Sequence, residues 1–245
     1  MKKYLFAGVI LLLVAAQVMA GDDKEVSEQR SLSGFEKIVL KGSPTIKYTQ
    51  GNQFKVEVRA PKDIVKNVQT YVKGKTLEVS VKSRKWPWRG SKDKDVTVLV
   101  TSPDLIGIEL LGSGDFECKS HLDTDNLVVR LKGSGDIDFS DIICDKLNAS
   151  VVGSGDLTID KVISQTAEID LVGSGDIKIR QEKVNQTKID LKGSGDIALS
   201  LQSCGIVDCH LFGSGDITLQ GDVTKLNTYK RGSGGISTKK LKIGK

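Results

Sequence analysis

This chain of 245 residues has few of the residues that usually carry chemistry or anchor a fold. It contains two histidines, four cysteines, two tryptophans and four prolines, and aromatic residues make up 5%. His121 and His210 stand far apart, and neither sits in a cysteine or acid constellation suggesting a nucleophile or a zinc site. After the first twenty residues no segment is apolar enough to span a bilayer. The formal net charge is +5, and it falls to +3 without Lys2 and Lys3. So mild an excess makes no general case for a nucleic-acid partner.

What is present begins with a targeting segment. Lys2 and Lys3 precede a nearly unbroken apolar run from Leu5 to Val14, and Val18 and Ala20 offer small residues for a signal peptidase. Residues 1–20 read as a secretory signal and Gly21 as the mature start. No cysteine follows the cleavage point, which argues against a lipid anchor there. Residues 21–30 are expected to be a flexible mature N-terminus.

The dominant feature is the word Gly-Ser-Gly-Asp. It begins at Gly112, Gly133, Gly153, Gly173, Gly193 and Gly213, and an altered copy, Gly-Ser-Gly-Gly, begins at Gly232. The steps are 21, 20, 20, 20, 20 and 19 residues. Of the 26 glycines 15 lie in these copies, so the glycine excess belongs to a repeat and not to disorder. A period near twenty marks a solenoid whose coils stack like over like.

The residues around each copy alternate. Leu110, Leu131, Val151, Leu171, Leu191 and Leu211 stand two before it, and Ile108, Val129, Ala149, Ile169, Ile189 and Cys209 four before. Between them come Glu109, Arg130, Ser150, Asp170, Asp190 and His210. After the copy, Phe116, Ile137, Leu157, Ile177, Ile197 and Ile217 are followed two residues on by another apolar residue in most coils. Period-two alternation on both sides makes the word a corner between two half-wet strands. A weaker third segment, with Leu122, Ile143, Val162, Val184, Leu201 or Val223, closes each coil. One coil buries too little to fold alone, so stacking must supply the rest. Parallel crossovers are almost always right-handed. The expected fold is therefore all-β: a right-handed parallel β-helix, or single-stranded β-solenoid, of about 20 residues per coil, regular over 106–245.

Glycine suits the corner because a sharp bend needs positive φ and because neighbouring corners approach closely. Asp115, Asp136, Asp156, Asp176, Asp196 and Asp216 should form a column about 4.8 Å apart. Such a row of charges needs backbone N–H groups or cations to neutralise it. One carboxylate per coil gives calcium too few ligands, so capping of the turn is the expectation, with no metal or cofactor. The last coil puts Lys230 on an inward position and Gly235 in place of aspartate, with Lys239, Lys240, Lys242 and Lys245 following. That reads as a charged end cap. Cys118 and Cys209 fall on inward positions. Cys144 and Cys204 share a column three coils apart, too far to bond. Cys204 with Cys209 is the one pairing the spacing allows.

Residues 31–105 are strand-rich and irregular, and they are expected to form first coils that also cover the N-terminal end. Lys41-Gly42-Ser43-Pro44 looks like a worn corner. The segment from Lys82 to Asp95 stands apart. Trp86 and Trp88 flank Pro87 among Arg84, Lys85 and Arg89. Exposed tryptophan beside arginine is suited to stacking on sugar rings or resting on an anionic surface. The alternative is a hydrophobic lid kept soluble by its lysines.

The run Ser33-Gly34-Phe35-Glu36-Lys37-Ile38, then Gly42-Ser43, Thr45-Ile46-Lys47-Tyr48-Thr49-Gln50-Gly51 and Val56-Glu57-Val58-Arg59-Ala60, resembles the head GIN domain of auto-transporter adhesins. The repeated corners resemble the second half of that family. The resemblance implies an all-β solenoid exported in Gram-negative bacteria, and it carries no catalytic residues. No translocating barrel is evident in this sequence. The functions open at this point are a periplasmic, cell-surface or extracellular protein that binds a glycan or an envelope or host protein, and a spacer module that self-associates. A polysaccharide-active enzyme is a third and poorer reading, because the aspartate column runs along the stack and does not converge.

Overall fold

The computed structural model describes residues 25–82 and 96–244. The protein is 75% strand, wound into a β-solenoid of about 7 turns with ~20 residues per coil. The strands before the repeats are β1 (Glu25–Arg30), β2 (Lys37–Gly42), β3 (Thr45–Gln50), β4 (Lys55–Pro61), β5 (Val68–Lys73), β6 (Thr76–Val81) and β7 (Thr97–Ser102). The repeats contribute β8 (Gly107–Gly112), β9 (Asp115–Asp123), β10 (Asn126–Gly133), β11 (Ile137–Gly153), β12 (Leu157–Gly173), β13 (Asp176–Glu182), β14 (Gln186–Gly193), β15 (Asp196–Gly213), β16 (Ile217–Arg231) and β17 (Ile236–Ile243).

From β8 onward every pairing is parallel and places one repeat on the next. Leu131 lies on Leu110, Val151 on Leu131, Leu171 on Val151, Leu191 on Leu171 and Leu211 on Leu191. These residues form the first face, before the corner. The second face, after it, stacks Phe116, Ile137, Leu157, Ile177, Ile197 and Ile217. Both rows are buried, as the alternation requires. On the third face the interior row runs Leu122, Ile142, Val162. Ile143, expected to close its coil, points outward at 38% exposure, because Ile142 takes the place above Leu122.

The uneven steps are local bulges. The 21-residue step places its extra residue between Cys118 and His121, opposite Phe139 and Asp141. The 19-residue step drops one residue where Leu201–Cys204 faces Gly221–Val223. The first falls just before the third-face row and the second just after it, since Leu201 lies on Gln181 and Gln181 on Val162; in both places the flanking rows stay in register.

The four cysteines are free and buried. Cys118 lies beside Phe139, and Cys209 between Ile189 and Thr228, so both serve as small core side chains. Cys204 and Cys209 do not pair.

Chain order and stacking order diverge at the N-terminal end. The coil of β2 and β3 lies directly under that of β8 and β9, with Gly42 on Gly112. The coil of β6 and β7 then pairs with the outer side of β2 and β3. Beyond it the pairing turns antiparallel: β5 on β6, β4 on β7 and β1 on β4. Residues 25–30, expected in a flexible N-terminus, are therefore a paired strand. Its polar side chains are held there by Glu57, which accepts hydrogen bonds from Ser27 Oγ and Gln29 Nε2, both at 2.9 Å.

Candidate ligand-binding surface

Each corner holds two glycines. The first of each corner, Gly112 to Gly232, has φ between +131° and +145°. Space limits both: a Cβ on the first glycine from Gly133 on, or on Gly135, Gly155, Gly175, Gly195 or Gly215, would overlap the carbonyl oxygen of the matching glycine one coil earlier. Corners can stack at strand spacing only because neither position carries a side chain. The carbonyls of Gly133, Gly153, Gly173 and Gly193 each accept two N–H groups from the next coil, as at Gly153, which takes Ser174 N at 2.8 Å and Gly175 N at 3.2 Å; those of Gly112 and Gly213 accept one each.

The aspartate column is tied to the backbone in the same way. One carboxylate oxygen of Asp115, Asp136, Asp156, Asp176 and Asp196 accepts the N–H of the next aspartate, at 2.8 to 3.2 Å. Asp216 takes Gly235 N at 2.7 Å, so the altered seventh corner still closes the ladder. Each carboxylate thus caps the turn of the following coil. The serine hydroxyls face solvent, and only Ser214 and Ser233 meet along their column, at 3.1 Å.

Both histidines are engaged with acids on the neighbouring coil. His121 Nδ1 lies 2.8 Å from Asp141, whose other oxygen is 3.4 Å from Lys161 Nζ. His210 Nδ1 lies 3.0 Å from Asp190, which also meets Lys188 Nζ at 2.6 Å. Burial works to raise the Asp190 carboxyl, but Lys188 and His210 together carry it below its ordinary range. Asp141 is lowered in the same way by His121 and Lys161. Asp141 and Asp190 therefore hold neighbouring coils together through cross-coil contacts.

The sequence-selected residues Trp86, Trp88, Arg84, Lys85 and Arg89 lie outside the described residues. The ends that anchor their segment are clear. Only Ser43 and Pro44 join β2 to β3, whereas residues 82–96 join β6 to β7 in the coil stacked on them.

At the opposite end is a group that sequence reasoning missed. On the outer side of the first face, His210, Phe212 and Tyr229 come together. The Tyr229 ring is 5.6 Å from Phe212 and 6.3 Å from His210, centroid to centroid, and Tyr229 is 53% exposed. Beside them a shallow groove of about 540 Å³ is lined by Phe212, Gly213, Ser214, Arg231, Gly232 and Ser233. Taken one at a time, outward residues read as solvated. The signal was that Tyr229 and His210 stand three residues before successive corners, and so in one row.

Such a molecule is a stacked β-coil protein whose glycine corners are structural. The chain belongs to the family described as "Putative auto-transporter adhesin, head GIN domain", which matches residues 34–204 and 163–245. Among solved structures it is similar to a "putative adhesin" from Bacteroides fragilis, with 29% identity, a TM-score of 0.79, and 88% of this chain and 97% of that chain covered. A "putative adhesin" from Parabacteroides distasonis shares the fold at 20% identity and TM-score 0.69, covering 89% of this chain and 98% of its own. A "putative lipid binding protein" from the same species does so at 18% identity and TM-score 0.67, over 90% and 99%. No curated protein matches.

Proposed function

We propose that this chain is an exported, non-enzymatic, adhesin-like binding protein of the bacterial cell envelope, which holds a glycan or a protein on the outer rows of its solenoid. One observation carries the reading: the groups that could do chemistry are committed to the fold. The corner carboxylates hold backbone N–H groups, and His121 and His210 are held by acids. Ordered rows of side chains on long flat faces remain, and such faces suit extended ligands. The family and the Bacteroides fragilis neighbour support the same role, and the N-terminal signal pattern supports export. Trp86 and Trp88, with Arg84, Lys85 and Arg89, are proposed as one contact, because tryptophan beside arginine suits stacking on sugar rings.

The test is a glycan-array screen with the mature chain, residues 21–245, and with W86A/W88A. Bound glycans, weakened in the double variant at an unchanged unfolding midpoint, are the expected outcome. A lower midpoint with unchanged binding makes the tryptophans a lid. An empty array, together with concentration-dependent self-association in the ultracentrifuge, replaces the binding role by assembly.

A further inference from the structure

The groove at the C-terminal end of the first face has a composition that names a ligand class. Its outer row runs Lys132, Val152, Val172, Lys192, Phe212 and Arg231, one residue per coil. Phe212 is thus flanked by Lys192 on the coil below and Arg231 on the coil above, each about 4.8 Å along the stack. On this face, from β8 onward, the ion pairs join Lys132 to Glu109, Lys188 to Glu168 and Asp190, and His210 to Asp190. Among the described residues neither Lys192 nor Arg231 takes part in one. Of the acids on the neighbouring rows, Asp170 lies within electrostatic reach of Lys192 without pairing with it, and two others are engaged. Asp190 is held by Lys188 and His210, and Asp208 accepts Asn227 Nδ2 at 2.6 Å. The side toward the corner carries no acid except the column already bound to backbone; it presents the Ser214 and Ser233 hydroxyls.

We propose that this groove binds an acidic saccharide, a uronate or sialate unit within a glycan. The inference rests on the adhesin-like reading above and deepens it by giving it a second site. An aromatic surface receives the C–H face of a sugar ring, and Tyr229 offers a polar tip as well. A guanidinium matches a carboxylate in a two-pronged geometry that an ammonium cannot reproduce, so Arg231 selects the acid and Lys192 adds charge. The serine hydroxyls and the Asn227–Asp208 pair supply donors and acceptors for ring hydroxyls. Among the described residues the exposed apolar side chains of this face are few, Val152 stacked on Val172 below Lys192 and Tyr229 above, too small a patch for a protein interface, which favours a sugar.

The experiment titrates the mature chain, by calorimetry, with a panel of uronate- and sialate-bearing oligosaccharides and with their carboxyl methyl esters. At least one acid is expected to bind at least tenfold more tightly than its ester. Y229A is expected to weaken acid and ester alike by tenfold or more. R231Q should abolish the preference for the acid and leave ester binding unchanged. Both side chains are exposed, so their unfolding midpoints should match the parent. Acid and ester binding equally, or binding indifferent to both substitutions, overturns the groove while array hits elsewhere leave the adhesin-like reading standing. An empty array and a panel without binding overturn both.

Discussion

The repeats and the N-terminal region solve the same problem in opposite ways. A coil stacked on its copy needs no new information: the same inward rows and the same corner recur, and pairing is parallel throughout. An end must prevent the next coil from adding. At the N-terminal end the pairing turns antiparallel across β4, β5 and β1, and Glu57 gathers Ser27, Gln29, Lys55 and Arg59 around one carboxylate. The interior differs as well. Tyr48, Phe116 and Phe139 stack through the first coils, whereas the later interior is aliphatic apart from cysteines and a few buried polar residues such as the bonded pair Thr187 and Gln181. At the C-terminal end the inward leucine gives way to Lys230, whose ammonium reaches the Gly234 carbonyl at 2.8 Å. Lysine on an open edge discourages further pairing. Regularity thus elongates the fold, and each end stops it by departing from the repeat.

The largest effect should come from placing a methyl group inside a corner. Gly175→Ala would push a Cβ into the Gly155 carbonyl, and it is expected to cost about 3 kcal/mol or to block folding, as read by urea denaturation. The matching change in the cap, Gly74→Ala, meets open space and bears only the penalty of its φ of +60°, about 1 kcal/mol. If the two cost the same, corner spacing does not govern stacking.

Glu57 comes next. Hydrogen bonding from Lys55, helped by Arg59 and Ser27, holds its carboxyl down from 4.5 to about 2. A depressed folded value stabilises above the unfolded one, so this contribution is complete above about pH 4.5 and is lost as pH falls through 2. Glu57→Gln should cost about 2 kcal/mol at pH 7 and flatten the stability profile between pH 4.5 and 2. An unchanged profile would remove the cap's electrostatic lock.

A single corner carboxylate should matter less. Asp156→Ala frees the Asp176 N–H, now held at 2.8 Å, in an exposed place where water replaces it, at a cost of about 1 kcal/mol. A chelator should leave the thermal midpoint unmoved, because the backbone already satisfies the column; a lowered midpoint would return the aspartates to a cation. Burial pushes the Cys144 and Cys209 thiols up to about 12 and raises Cys118 and Cys204 as well. Aromatic disulfide reagents should therefore find no reactive thiol in the folded protein at pH 8 and four after unfolding.

Much of the repeat region was legible. The inward rows, the worn corner at Gly42 and the capping role of the aspartates all follow from period and alternation. The third face was less so. It is short and bulged, and a one-residue choice between Ile142 and Ile143 turns on packing above Leu122, which alternation cannot decide. The aromatic cluster was hidden for a different reason. Inward positions are constrained by the core and repeat visibly, whereas outward ones vary freely, so His210, Phe212 and Tyr229 gain meaning only as neighbours on adjacent coils.

By itself the sequence determined the coil: its length, its two strands, its glycine corner and which side chains face inward. Those properties arise within about twenty residues and are repeated, so local sterics and alternation suffice. Tertiary structure alone decided the order of the first coils, with β6 and β7 outside β2 and β3, and the antiparallel seal beyond them. These arise from pairings between unlike segments far apart in the chain, where no period signals which strand lies beside which.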